Sequence, residues 1–338
     1  MRKVLASYGF NENECMLRSF GNGLINKTWL LEVQGELFIL QRINEQVFSN
    51  AEAIAHNIRV VSQYLREHSP GYLFIEPIAT IAGNDMLCTE EGYYRLFPFV
   101  KRSHTIGVVR TPQQAYEAAS QFAGFTKRLS GLDLSQLNIT IPDFHNLTLR
   151  YQQFEEAVQQ GNKLRIAQSK NLIEFIRMHK TIAGEFEFSR PDFKWRCMHH
   201  DTKISNVLFD EDDNGLCVID LDTMMPGYFL GDVGDMMRTY LSPVDEEEKD
   251  FSKIEVRKDI YAAIVEGYLS EMGDELSDTE KNYFAYAGKY MIYMQAIRFL
   301  TDHLNDDVYY GAKYPGQNLV RAGNQATLLE RLNDLIPH

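Results

Sequence analysis

No run of about 20 apolar residues, the length a helix needs to cross a bilayer, occurs anywhere in the chain, so a helical membrane span is excluded. The opening MRKVLASYGFNENE has basic residues but no apolar run of signal-peptide length. Cysteine is scarce: 4 among 338 residues, at Cys15, Cys88, Cys197 and Cys217, far apart and without a C-x-x-C pair. That spacing argues against a disulfide framework or a thiolate zinc site and for a reducing compartment. Positive charge is also short. Lys and Arg number 34 against 47 Asp and Glu, a net charge of −13. Nucleic acid, which is bound through clustered cations, is thereby an unexpected partner. An anionic substrate then requires local cations or metal ions. The expected location is the cytoplasm, as a monomer or homodimer, with no membrane partner.

What remains is an ordinary globular composition, 44% apolar and 24% charged. The N-terminal segments alternate as short strands do: Ser19–Val33, broken by Gly21 and Gly23, then ELFILQRIN, YLFIEPIAT, DMLCTEE and GYYRLFPFV. One helix interrupts them, Asn50–His68, with Ile54, Ile58, Val61 and Leu65 on one face and Ser49 or Asn50 as cap. Beyond Arg110 the texture becomes helical. Thr111–Leu132 opens with Thr-Pro, a good helix start. Further helical patterns cover Thr148–Gln159, Lys170–Ala183, Val256–Glu271, Thr279–Leu304 and Val320–Leu335. The predicted layout is a strand-rich lobe over residues 1–96 and a helical lobe over 97–338, joined near LFPFV.

A polar stretch interrupts the helical half. MHHDTKISNVLFD (Met198–Asp210) and CVIDLDTMMPG (Cys217–Gly227) read as a β-hairpin, with Asp201 and Asn206 before one strand and Asp220 after the other. Hairpin geometry brings these ends together, and a carboxamide beside carboxylates is an all-oxygen set suited to magnesium. The competing reading is a surface loop or a satisfied buried polar group. Zinc fits poorly, because adjacent histidines on an extended chain point apart and no third His or Cys is suitably spaced. His199 is expected to bond behind the loop. Asp232 and Asp235, one turn apart in GDVGDMMRTY, suit a helix cap.

H-x-D-x-x-x-x-N followed by a strand and Ile-Asp resembles the catalytic and metal loops of the protein-kinase-like fold, as found in aminoglycoside phosphotransferases and choline kinases. The resemblance implies an α+β, two-lobe fold with a small antiparallel N-terminal lobe. It implies ATP and Mg2+ as cofactors, Asp201 as catalytic base, and Asn206 and Asp220 as metal ligands. Asp222 is either a second metal ligand or a hydrogen-bond partner of the catalytic loop. Lys203 and Thr202 would support the transferring phosphoryl group, and Asp232 and Asp235 would brace the loop. Gly21 and Gly23 match the phosphate-covering hairpin, and Phe97 and Phe99 the walls of an adenine site at the hinge. Where that fold places a phosphate-gripping lysine on a strand, FILQRIN has Gln41. Arg42 falls on the opposite face of the strand, which leaves the role of Glu52, the possible helix partner, in doubt.

Within that superfamily, GNGLINKTW, FILQRIN, HHDTKISNVLFD, VIDLDTMMPG, GDVGD and RFLTDHLNDDVYY are similar to N-acetylhexosamine 1-kinases. This implies a sugar acceptor phosphorylated on its anomeric hydroxyl, with Arg298, Tyr310 and Asn26 as substrate contacts and His145 lining the pocket. Arg298 and Asp302, four apart, also suit a helix pair. The rivals are a kinase of an aminoglycoside, choline or homoserine, and a weakly active nucleotide-binding regulatory module.

Overall fold

The computed structural model describes residues 1–21, 26–48 and 50–336. After helix α1 (Arg2–Ser7), the antiparallel strands β1 (Cys15–Ser19), β2 (Lys27–Val33) and β3 (Glu36–Arg42) follow in turn. Helix α2 (Ala51–His68) separates them from β4 (Leu87–Thr89) and β5 (Gly92–Pro98). The sheet order is β1-β2-β3-β5-β4, so β5 crosses over to lie beside β3. Its registers put Thr28, Gln41 and Arg95 in one row across β2, β3 and β5. Directly paired residues share a face of the sheet, and that row becomes important below.

One strand expectation fails. YLFIEPIAT forms no strand, only an isolated bridge between Ile78 and Leu96. Pro77 removes a ladder donor in its middle, which demotes such a run. Conversely, β1 begins in a stretch that has no strand signal from apolar alternation.

The helical half contains α3 (Pro112–Arg128), α4 (Leu147–Gln160), α5 (Lys163–Gln168), α6 (Lys170–Met178) and α7 (Thr181–Ser189). Next come the short strands β6 (Arg196–Met198), β7 (Val207–Phe209), β8 (Gly215–Val218) and β9 (Met225–Gly227). The chain ends in α8 (Phe229–Tyr240), α9 (Lys258–Met272), α10 (Asp278–Asn282), α11 (Phe284–Leu304) and α12 (Gln317–Leu335). Thr111 and Gln114 form a reciprocal capping box on α3. The single helices expected over Lys170–Ala183 and Thr279–Leu304 are each broken in two, at His179 and at Tyr283.

Two apolar clusters result. The smaller joins Val4 and Leu5 of α1, and Tyr8 just after it, to Leu31, Leu40, Tyr94 and Leu96 of the sheet. The larger fills the helical half and also takes Ile54, Ile58, Val61 and Leu65 of α2. Helix α2 thus lies within the strand-rich segment but buries its apolar face against the other half. Buried Asn57 fixes it there, donating to the carbonyls of Met224 at 3.0 Å and Asn138 at 2.9 Å. Among the described residues no helix is long and apolar enough to cross a membrane.

Candidate active site

The loop between β6 and β7, which carries Asp201 and Asn206, is held by α8. Asp232 on α8 accepts the backbone N–H groups of His199 at 3.0 Å and His200 at 2.8 Å. Asp235, one turn on, accepts that of Thr202 at 2.9 Å. Tyr240 donates to the Thr202 carbonyl at 2.6 Å, and Arg238 anchors Asp235 at 2.9 Å. His199 works as expected from behind: its ring meets the Ile219 carbonyl at 2.9 Å and Asp201 N–H at 3.3 Å. Two non-glycine residues here have positive φ, His200, next to Asp201, at 67° and Asp220 itself at 60°. Non-glycine residues in that region cost roughly 1–3 kcal/mol each and persist where surrounding contacts over-determine them.

The loop presents Asp201 between two donors, Lys203 Nζ at 2.9 Å and Asn206 Nδ2 at 3.0 Å. Burial works against ionisation of Asp201, but the Lys203 ammonium, with His199 and Arg238 beyond it, holds the carboxyl below its usual range. The same contact raises Lys203 above the normal lysine value. Asn206 Nδ2 also donates to the Asp201 carbonyl at 2.8 Å. Both bonds orient its amide with the oxygen as the free end. Ile219 N–H bonds the Asn206 carbonyl at 2.8 Å, stitching the next residue, Asp220, to this loop. Surrounding protein, then the charges of Asp222 and Asp201, push the Asp220 carboxyl up to about 7. Asp220 is exposed, so water offsets part of the first effect.

Asn206 and Asp220 therefore offer oxygens with no competing donor among the described residues. No group of three or more His, Cys, Asp or Glu side chains converges on a metal position among them. Two protein oxygens fit magnesium that arrives with phosphates and keeps its own waters, rather than a fully protein-caged ion.

Asp222 is placed differently from these two. It is buried and ion-paired with Arg95 of β5 at 2.5 Å, and it accepts Asn26 Nδ2 at 2.7 Å. Asn26 passes the connection on by accepting Asn44 N–H at 3.0 Å. Its carboxamide thus bridges the two halves of the molecule rather than standing free. Gln41 Oε1 accepts two bonds from Arg95, at 3.0 and 2.8 Å. Arg95 was not singled out in the sequence. Only the β3–β5 register places it opposite Gln41. Glu52 is exposed and, among the described residues, forms no ion pair.

Phe97 and Phe99 are half-buried, with Arg95 over the Phe97 ring at 5.0 Å and Phe20 edge-on to Phe99 at 6.2 Å. Gly21 has φ 75°, a backbone conformation that favours glycine. Gly23 lies outside the described residues, as does Ser49; Asn50 caps α2 by accepting Ala53 N–H at 3.0 Å.

Beyond the loop, Arg298 lies against three rings, 5.4 Å from Phe144, 5.7 Å from Tyr309 and 5.5 Å from Tyr310. It does not pair with Asp302, whose oxygens accept the Tyr309 and Tyr310 N–H groups at 2.7 and 2.9 Å. Tyr310 hydroxyl is fixed by Gln295 at 3.0 Å. His145 stacks on Phe144 at 4.5 Å, and its Nδ1 approaches that of His200 at 3.2 Å. Packed rings thus connect the residue before Asp201 to the bed of Arg298.

A sequence profile described as the phosphotransferase enzyme family matches residues 17–259. The chain belongs to this family. Solved structures share its fold at low identity. An aminoglycoside phosphotransferase from Alicyclobacillus acidocaldarius is 14% identical, with TM-score 0.65, covering 100% of this chain and 97% of that one. A spectinomycin phosphotransferase solved with ADP and spectinomycin is 11% identical, with TM-score 0.60, covering 98% and 97%. A choline kinase from Cryptosporidium parvum is 15% identical, with TM-score 0.57, covering 99% and 94%. The family match covers both the strand-rich half and the loop carrying Asp201, Asn206 and Asp220, so this phosphotransferase has the protein-kinase-like fold.

Proposed function

We propose that this phosphotransferase moves the γ-phosphoryl group of ATP, with magnesium, to the anomeric hydroxyl of an N-acetylhexosamine. The observation that carries the transfer is the Asp201 carboxylate, held ionised between Lys203 and Asn206 beside the open carboxylate of Asp220. Asp201 accepts the hydrogen bond of the acceptor hydroxyl and takes its proton as the new O–P bond forms and the bond to the leaving ADP breaks. Lys203, near the reacting oxygen, balances charge during transfer. Asn206 and Asp220 would hold magnesium, which neutralises charge on the phosphate chain. Asp222, already bound to Arg95 and Asn26, acts as the clasp beside them. Asn26 acts in the same clasp rather than on the acceptor.

The acceptor side supports a neutral, hydroxyl-rich ligand. A choline site needs an aromatic cage for its cation. Here the rings of Phe144, Tyr309 and Tyr310 already surround Arg298, and a second cation there would meet like charge. Arginine beside tyrosine suits a sugar's hydroxyls and acetamido oxygen, with a ring face left for stacking. Spectinomycin and choline, the acceptors of fold relatives, are therefore the comparison set.

The deciding experiment is an ADP-release screen over N-acetylhexosamines, plain hexoses, choline, homoserine and aminoglycosides. Turnover with an N-acetylhexosamine, accompanied by loss of its reducing-sugar signal, is expected, because phosphorylation at the anomeric carbon blocks ring opening. Release of ADP with choline or an aminoglycoside alone would replace the sugar reading. ATP binding without turnover on any acceptor would favour a regulatory module.

A further inference from the structure

We propose that Glu246 is a positioning residue for the transfer. Through Arg238 and Arg321 it fixes the loop that carries Asp201 relative to the ring bed of Arg298, and so sets where the acceptor hydroxyl meets its base. The proposal rests on the transfer reading above, with the acceptor beside Arg298 and Tyr310. Glu246 belongs to DEEEKD (Asp245–Asp250), a run whose charges would ordinarily face water. Its three glutamates are instead half-buried, and one face of α12 holds the segment. Gln317 Nε2 donates to Glu247 at 2.9 Å, Arg321 donates to Glu246, and Asn324 Nδ2 donates to the Asp245 carbonyl at 3.0 Å. Positions 317, 321 and 324 recur at helical spacing.

From Glu246 the bonds run two ways. Toward the base, its Oε2 accepts Arg238 Nη1 at 2.7 Å, and Arg238 binds Asp235 through Nε and Nη2, each at 2.9 Å. Asp235 in turn accepts the N–H of Thr202, the residue after Asp201. Toward the acceptor, Oε1 accepts Arg321 Nη2. The Arg321 guanidinium lies over the rings of Phe299 at 3.7 Å and Tyr310 at 5.2 Å, and its Nη1 donates to Asn318 Oδ1 at 3.2 Å. Asn318 Nδ2 reaches Asp302 at 3.1 Å and the Gly311 carbonyl at 3.0 Å. Asp302 is the carboxylate that holds the Tyr309 and Tyr310 N–H groups. Glu246 is the one carboxylate common to both arms.

Its charge also sorts the two arginines near the Tyr310 ring. Burial opposes ionisation of Glu246, but Arg238 and Arg321 hold its carboxyl below the ordinary value. Arg321 is thereby neutralised, whereas Arg298, at 5.5 Å from the same ring, forms no ion pair among the described residues. Glu246 thus leaves Arg298 as the unpaired cation of the bed. A hydrogen-bonded ion chain of this kind has fixed geometry, because each guanidinium is planar and meets its carboxylates along set directions.

Steady-state kinetics of the full chain with ATP, magnesium and an N-acetylhexosamine separate positioning from general damage. For E246Q, kcat/KM for the sugar should fall roughly 10- to 100-fold, the scale of loss for a misplacement of about 1 Å. The sugar KM should rise, while ADP affinity by titration calorimetry stays at the wild-type value. R321Q breaks the same chain on the acceptor side and should reproduce the rise in sugar KM. The double variant E246Q/R321Q should lose far less than the product of the two single losses, as residues of one network do. If E246Q does not fold, R321Q carries the test, because Arg238 then keeps Glu246. A merely structural role would lower the active fraction, so kcat falling at an unchanged sugar KM would overturn the assignment. So would losses that multiply in the double variant. Should the acceptor screen find a different acceptor, its KM replaces that of the sugar. A wild type that turns over no acceptor of the screen overturns the transfer reading and this one together. Wild-type turnover with an unchanged acceptor KM in both single variants overturns this one alone.

Discussion

At the scale of single residues, the site separates groups proposed to do chemistry from groups that hold them. Asp201→Asn keeps the side chain's size but replaces one accepting oxygen with a donor and removes the proposed base. Its kcat should fall about 10²- to 10⁴-fold, while ADP affinity stays close to wild type. Normal turnover would remove Asp201 from the mechanism. Asp220→Ala should act on the other quantity, weakening magnesium-dependent nucleotide binding. If the variant kept the wild-type magnesium requirement in a titration of turnover, Asp220 would not be a ligand. Asp222 contrasts with both, because its carboxylate is buried against a guanidinium. Removing one partner of such a pair leaves an uncompensated charge and costs roughly 3–5 kcal/mol.

At the scale of elements, α8 is the scaffold of the loop that carries Asp201. Its first turn carries Asp232, and the backbone N–H groups that it accepts are buried. Asp232→Ala would strand two donors at about 1–3 kcal/mol each. It should lower the urea midpoint and reduce kcat more than nucleotide affinity. A variant as stable as wild type would mean that water replaces the carboxylate. The same helix crosses α11 closely at Gly234, where an added methyl would overlap the Ala287 carbonyl and the Met291 side chain. Overpacking of this kind typically costs about 1–3 kcal/mol. Thermal melts of Gly234→Ala should register it, and an unchanged melting temperature would mean that the helices move apart freely.

At the scale of the molecule, acid stability depends on buried neutral histidines where the halves of the site meet. Burial, with His199 nearby, lowers His200 from 6.5 to about 4; burial also lowers His199 and His145. A histidine lowered on folding takes up its proton first in the unfolded chain. Its stabilisation is therefore present above about pH 6.5 and is lost as pH falls toward 4. For His200 the drop is worth roughly 3 kcal/mol at about 1.4 kcal/mol per pH unit. Asp232, raised to about 7 by burial, has the opposite slope, contributing less as pH rises toward 7. The clean observable is a difference. His200→Asn, whose replacement tolerates the positive φ, should flatten the fall in unfolding free energy between pH 6.5 and 4 relative to wild type. Parallel curves for the two proteins would mean that His200 titrates normally.

Local chemistry was legible in the sequence because it depends on neighbours in the chain. The Thr-Pro start of α3, the apolar face of α2, the hairpin after Asn206 and the spacing of Asp201, Asn206 and Asp220 all follow from short-range periodicity and turn geometry. The i, i+3 spacing of Asp232 and Asp235 by itself suggested a helix cap; their bracing role came from the resemblance to the kinase-like fold. Side-chain partnerships across strands and between halves were not legible. Arg95 carries no local signal, and its meeting with Gln41 and Asp222 depends on a crossover that sets β5 beside β3. Asn26 likewise gained its role from distant Asp222 and Asn44, and α2 its burial from the other half's core. Spacing along a chain determines which groups a loop or helix can present together. Only the packed structure determines which buried charge finds its counterion, because desolvation makes that pairing necessary and the fold alone supplies the partner.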